Sequence, residues 1–230
     1  VDHVFIHPDQ DIFNSLYRYY LKNYNPKKLI LYQICRRCTD LMDITMAKFA
    51  MERNIPVIFV GISPDEYRTT IDMFESRKYF YEPPKKVVLE ELHPKMLKNA
   101  LKKEHLKKID ITKKKSRFPR FIYPLQVLPY SPDAVRHMLH EKGIIKKGKS
   151  SPVKTNCLIN WVMIYSFIKK AGYNPYTEMF ADIVRENPKL RTRYIITDHM
   201  INFLVNTGMF KRSEINTVLK DLGLKRKDIV

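Results

Sequence analysis

Glycine is scarce in this chain: six residues in 230, with no two adjacent. Loops that cradle phosphate through backbone N–H groups are built on glycine, and no glycine-rich loop of that kind occurs here. Cysteine is scarcer still, at positions 35, 38 and 157 only. An odd count in a chain of this length excludes a disulfide framework, and a four-cysteine zinc site lacks its fourth ligand. Acidic residues are few beside basic ones, 24 against 42, for a net charge of +18. No apolar run approaches the roughly 18–20 residues that span a bilayer, and no signal-peptide pattern is present. The absence of a membrane segment and the sparse, unpaired cysteines lead to an expected cytoplasmic location. No Ser/His/Asp nucleophile motif, paired-carboxylate pattern or zinc-hydrolase signature occurs.

Hydrophobic residues make up 44% of the chain, with 14 Tyr and 12 Phe. That is enough for one large domain, or for a domain with an appendage. The surplus of positive charge calls for a polyanionic partner, RNA ahead of DNA or membrane. The charge concentrates in residues 102–120, where nine Lys and Arg face two acids. That segment ends in Lys113-Lys114-Lys115-Ser116-Arg117-Phe118-Pro119-Arg120. Cations interleaved with Phe118 and Phe121 suit phosphate contact, so Lys113, Lys114, Lys115, Arg117 and Arg120 are candidate nucleic-acid residues.

The pattern predicts a strand at 1–7 and a helix from Pro8-Asp9-Gln10-Asp11 to Asn25-Pro26. A second apolar run covers 29–34, and Thr39 or Asp40 can cap a helix reaching about Arg53. The run 57–61 reads as a strand buried on both faces. This βαβ order predicts an α/β fold with a parallel sheet, whose ligands sit at the carboxyl ends of the strands. Residues 83–108 read as helical, 121–130 as a short strand, and 131–140 as a helix capped at Ser131 and closed by Gly143. A further helix is predicted over 158–170, capped by Thr155 or Asn156. From Gly172 onward three helices follow, at about 176–186, 191–206 and 212–222. The expected organisation is an α/β domain over 1–171, including the basic segment, and a helical C-terminal region over 172–230.

The cysteines carry the clearest chemistry. In Ile34-Cys35-Arg36-Arg37-Cys38-Thr39-Asp40 the pair sits between a predicted strand and a predicted helix. Cys157 precedes another helix. Arg36, Arg37 and helix N-termini at Cys38 and Cys157 would all favour thiolates. Three thiolates on a [4Fe–4S] cluster would use every cysteine and leave one iron open. Zinc with a histidine ligand, a redox dithiol and simple burial of Cys157 are the other readings. His137 and His140 share a helix face without a known metal spacing and read as surface residues. Arg185, Arg191 and Arg193 read as a solvated turn.

The order of motifs, rather than any one of them, resembles a family. C-x-x-C precedes a helix, and an apolar strand ends in Gly61-Ile62-Ser63-Pro64-Asp65. Tyr123-Pro124-Leu125, a capped helix and a late cysteine follow. This is similar to the PP-loop ATPase superfamily (adenine nucleotide alpha-hydrolase-like), in its tRNA 2-thiolation and sugar amidotransferase-like branches. The resemblance covers about residues 1–160 and implies a Rossmann-like parallel sheet. It implies that Cys35, Cys38 and Cys157 hold a [4Fe–4S] cluster or zinc, and that Gly61 and Asp65 border ATP with Mg. It implies tRNA or another RNA as a partner for the basic surface; a homodimer is compatible with it. The activity implied is adenylation of a carbonyl followed by sulfur transfer to tRNA or a small molecule. Amidotransfer on the same fold with zinc, and a non-catalytic RNA-binding module, are the alternatives. The family's Ser-Gly-Gly-x-Asp-Ser pyrophosphate loop is absent from these residues. Together with the opening Val1, this places that loop, by expectation, upstream or on another polypeptide.

Overall fold

The computed structural model describes residues 4–7, 9–23, 33–62, 82, 85–129, 131–146 and 157–230, without the side chains of 33, 91, 94, 96, 113–115, 132, 178, 179, 182, 183 and 186. The described residues are mostly helical, with one parallel pair of strands. The chain divides into two compact units, Val1–Cys38 with Cys157–Val230, and Thr39–Asn156. This division differs from the boundary expected at 171/172.

In the first unit, α1 (Gln10–Asn23) buries Ile12, Phe13, Leu16 and Leu21 at helical spacing. Helix α2 (Gln33–Glu52) contributes its first turns, through Cys38. The centre is α6 (Leu158–Ala171), which buries Ile159, Asn160 and every residue from Val162 to Ile168. A helix apolar nearly all round must be covered on all sides. Helix α1, α8 (Arg191–Asn206) and α9 (Arg212–Asp221) all pack on it. Between α6 and α8 lies α7 (Thr177–Glu186). The four helices after residue 157 thus start and stop close to the predicted positions. The C-terminal ones are part of the packing around α6 rather than a separate appendage.

Trp161 meets Phe210 edge-on at 5.7 Å, and Arg18 Nε donates to the Leu222 carbonyl at 2.7 Å, tying α1 to the end of the chain. Helix α6 ends on Gly172 at φ 82°, a left-handed C-cap whose N–H bonds the Ile168 carbonyl. A Cβ there meets nothing within 4 Å, so the penalty is conformational alone. Gly172→Ala should lower unfolding free energy by about 1 kcal/mol, read as a lower urea midpoint at unchanged slope.

In the second unit β1 (Val57–Phe59) pairs in parallel with β2 (Arg120–Ile122), in the register Val57↔Arg120, Ile58↔Phe121, Phe59↔Ile122. The strands are three residues long, and Phe59 is 70% exposed. The strand expected to be buried on both faces is therefore covered on one side at most. Residues 4–7 are not strand, and Phe5 is 80% exposed. Of the run 29–34, Ile34 is buried in the first turn of α2; residues 29–32 lie outside the described residues.

The helix predicted over 83–108 is broken into α3 (Lys85–Glu91), a 3₁₀ turn at Pro94–Leu97 and α4 (Lys103–Lys108). Pro94 lacks the N–H that a continuing helix needs, and His93 caps the new turn by accepting from the Lys95 N–H. Pro124 likewise stops β2 early by starting a 3₁₀ turn, so the strand does not reach residue 130. Helix α5 (Pro132–Glu141) is capped by the Ser131 hydroxyl, as its sequence predicts. The core of this unit joins Leu41, Ile44, Ala47 and Met51 of α2 with Leu97, Ile111, Phe118 and Phe121. Among the described residues no helix is long and apolar enough to cross a membrane.

Candidate metal centre

The cysteine pair is not in a loop before a helix. Helix α2 begins at Gln33, so Cys35 and Cys38 lie within its first two turns. Residues three apart share a face of an α-helix, and both cysteines are half-buried on α2. Thr39 and Asp40, expected as caps, are interior to the helix. Cys157 is the N-cap residue of α6, the role expected of Thr155 or Asn156, and it is exposed. None of the three cysteines is in a disulfide. The same three-residue step continues along α6 through the buried Asn160 to Met163.

Two contacts between these helices involve sulfur. The Cys35 thiol donates to the Met163 thioether at 3.8 Å. The Tyr17 hydroxyl, from α1, lies 3.3 Å from the Cys38 sulfur. Tyr176 donates its hydroxyl proton to Asn160 Oδ1 at 2.7 Å, and its own N–H is held by Asn174 Oδ1 at 3.0 Å. Asn174 is fully buried, so this corner is fixed from below.

Electrostatics show that the thiols share one environment. Burial pushes Cys35 up to about 12, and charge on Cys157 and then Cys38 raises it further. Cys38 is raised by burial; the Tyr17 hydrogen bond opposes this, and Cys157 adds to it. Tyr17 is raised by burial, by its bond to Cys38 and by charge on all three cysteines. Burial likewise takes Tyr176 up to about 12, with contributions from Cys35 and Cys157. Charge on Cys157 thus reaches both Cys35 and Cys38, which stand one helix turn apart on α2.

The local chemistry differs from expectation. Cys38 is not at a helix N-terminus, and desolvation outweighs any dipole, so the resting thiol is neutral rather than activated. Among the described residues, no group of three or more His, Cys, Asp or Glu side chains is placed to hold a metal ion. The donor chemistry nonetheless fits a soft metal: three thiols, one adjacent thioether, and phenols positioned around them.

Comparison with protein-family models, with curated proteins and with solved structures finds no match for this chain. Its function is therefore argued from these residues.

Gly61 follows β1 and is exposed; a Cβ there would meet nothing within 4 Å, so no close packing demands glycine. It lies in the second unit, whereas Cys35 is on a helix of the first, so the two are not at ends of neighbouring strands. Asp65 lies outside the described residues. Gln126, which the sequence reading overlooked, donates to the Ile62 carbonyl at 2.9 Å and ties together the carboxyl ends of β1 and β2.

The basic segment is only partly a surface. Residues 112–117 form a 3₁₀ turn with Arg117 exposed; the side chains of Lys113, Lys114 and Lys115 lie outside the described residues. Arg120 is held bidentately by Glu82, at 2.5 and 2.8 Å. Phe118 and Phe121 are 2% and 1% exposed and stack on each other at 5.9 Å. The aromatic part of the expected interface is core, because these rings fill the space beneath β2. His137 pairs with Glu141 at 3.2 Å and His140 bonds the Ile145 carbonyl, consistent with their surface reading.

Sequence patterning missed Tyr17, Asn160, Met163 and Tyr176. Tyr17 falls in the apolar spacing of α1, and nothing local distinguishes a thioether such as Met163 aimed at a thiol from one packed in hydrocarbon.

Proposed function

We propose that this chain is the nucleotide- and metal-binding body of a PP-loop-type ATP-dependent transferase, with a Rossmann-like adenine nucleotide alpha-hydrolase ancestry. Cys35, Cys38 and Cys157 hold its metal, as a [4Fe–4S] cluster or as zinc. The observation that carries this reading is the shared field of three thiols drawn from positions 35, 38 and 157.

A cluster with three thiolate ligands supplies an iron open to sulfur. The protein's own work is to surrender the thiol protons, to hold Cys38 through the Tyr17 hydroxyl, and to bury the site beside α6. The carboxyl ends of β1 and β2, braced by Gln126, support a ligand position where parallel sheets take theirs. Gly61, which follows β1, would border ATP and Mg there, and the resemblance gives Asp65 the same role. Arg117 and Lys113–Lys115 supply phosphate contacts for tRNA or another RNA. The acceptor of sulfur is tRNA or a small molecule carrying a carbonyl that ATP can adenylate.

The test is metal content after anaerobic purification. Wild-type protein is expected to carry iron or zinc in whole-number ratio, and Cys157→Ser to lose most of it while its circular dichroism is retained. Protein that is free of iron and zinc, even after reconstitution with both, sinks the reading.

A further inference from the structure

A cleft of about 280 Å³ opens beside α3, lined by Lys85, Lys86, Leu89, Glu90, His93 and Phe118. It lies wholly in the second unit, so it owes nothing to the cysteines. Phe118 is 2% exposed and stacks on Phe121, and Leu89 is half-buried. Lys85, Lys86 and Glu90 are exposed. The cleft is therefore apolar at depth and charged at its mouth, the usual build of a small-ligand site. Among the described residues Lys86 and Glu90 have no ion-pair partner, although they stand four apart on α3. Lys85 feels Glu82, but both oxygens of that carboxylate are taken by Arg120. His93 Nδ1 accepts the Lys95 N–H at 3.1 Å, so the neutral ring carries its proton on Nε2 and has that N–H left to donate.

We propose that this cleft binds one nucleoside monophosphate group whose base is adenine or cytosine. Lysine ammonium groups bind phosphate as point charges, and Lys85 and Lys86 bring two of them to the mouth. Leu89 and Phe118 offer the flat ring an apolar bed. The edge of the base meets two groups of opposite kind: Glu90 only accepts, and His93 Nε2–H donates. Adenine and cytosine each carry a donor amine beside a ring-nitrogen acceptor on the Watson–Crick edge, and uracil carries the reverse order. A simple aromatic acid has no donor for Glu90 and sets a second carboxylate near it. The basic 3₁₀ turn Thr112–Arg117 runs directly into Phe118, so cations continue along the chain from the cleft. The same group reaches the cleft either as a free nucleotide or as one unit of an RNA strand. Binding needs no metal, and only the second source draws on the RNA partner proposed above.

The experiment titrates CMP and UMP, two nucleotides of nearly equal size, into the full chain carrying ¹³C-labelled leucine methyls. CMP is expected to shift the Leu89 methyl signals and to bind at least about fivefold more tightly than UMP. Lys85→Ala with Lys86→Ala should weaken CMP about tenfold. Lys220→Ala with Lys227→Ala removes the same charge from exposed lysines of the first unit and should leave affinity within about twofold. Glu90→Gln should erase the preference for CMP, since an amide both donates and accepts. Circular dichroism checks that each variant is folded. A cytidine pentanucleotide that shifts Leu89 and binds far more tightly than CMP identifies an RNA strand as the source; equal affinity identifies the free nucleotide. Either result upholds the cleft as the site. An unmoved Leu89, equal binding of CMP and UMP, or equal losses in the two lysine pairs overturns the inference. RNA binding without a Leu89 shift also ends this site and leaves the basic surface standing, and metal content is untouched by any of these results.

Discussion

Cobalt, used as a spectroscopic stand-in for zinc, is expected to bind at least about 100-fold more tightly for each unit of pH between about 6 and 8. The reason is a count of protons. Burial lifts Cys35 to about 12 and raises Cys38 as well. Both thiols are therefore protonated across this range in the metal-free protein. A metal binds the thiolate, so each of the two must release a proton when it coordinates. Raising the pH by one unit favours each release about tenfold, and two releases multiply. The sign is fixed: binding weakens on acidification and strengthens on alkalinisation. Had the thiols been activated, as a cysteine pair beside two arginines at a helix start suggests, the dependence would flatten in the same range. Titrating cobalt at three pH values and following the sulfur-to-metal charge-transfer band measures the slope directly. A slope clearly below two decades per pH unit would show that Cys35 and Cys38 do not both bind.

Asp43 sets the second large effect, and it concerns stability. It lies on α2, 7% exposed, with Asp40 one turn earlier and 4% exposed. Desolvation first, and then the charge of Asp40, raises the Asp43 carboxyl from 3.8 to about 7. In the unfolded chain the group releases its proton near pH 4; in the folded chain it keeps it until about pH 7. Between those values the native state holds more protons than the unfolded state, so stability falls as pH rises. The fall amounts to about 4 kcal/mol and is complete once pH passes about 7. Asp43→Asn keeps the shape and removes the titration. The variant should match wild type in acid near pH 4 and exceed it by a few kcal/mol at pH 8, by urea unfolding at both pH values. A difference that stays constant with pH would mean that the wild-type carboxylate is not destabilised by burial.

How much of this was legible beforehand depended on the range of the forces involved. The helices at 10–23, 158–171, 177–186, 191–206 and 212–221 are visible in spacing alone. An apolar residue at every third or fourth position, a capping serine at 131 and a terminating glycine at 172 act within one or two turns. Strands were foreseen near 58 and near 121, but the parallel sheet was expected from the order of 1–7, 29–34 and 57–61, not from the pairing of 57–59 with 120–122. Their length was not foreseen, because Pro124 and the exposure of Phe59 depend on what covers the sheet. The interleaved aromatics at 118 and 121 look identical in sequence whether they stack on a base or on each other. Their burial turned a predicted recognition surface into core, and Glu82 took up the guanidinium of Arg120.

By itself the sequence determined three things: the helical register of the C-terminal half, the surplus of positive charge, and the fact that only three residues can supply thiolates. Each is local or compositional, so no fold is needed to read it. Tertiary structure decided that 35 and 38 stand inside a helix, that Met163, more than a hundred residues on, reaches the Cys35 sulfur, and that burial holds the Cys35 and Cys38 thiols neutral. Those facts depend on packing between segments more than a hundred residues apart and on the water that packing removes, and neither is written in spacing.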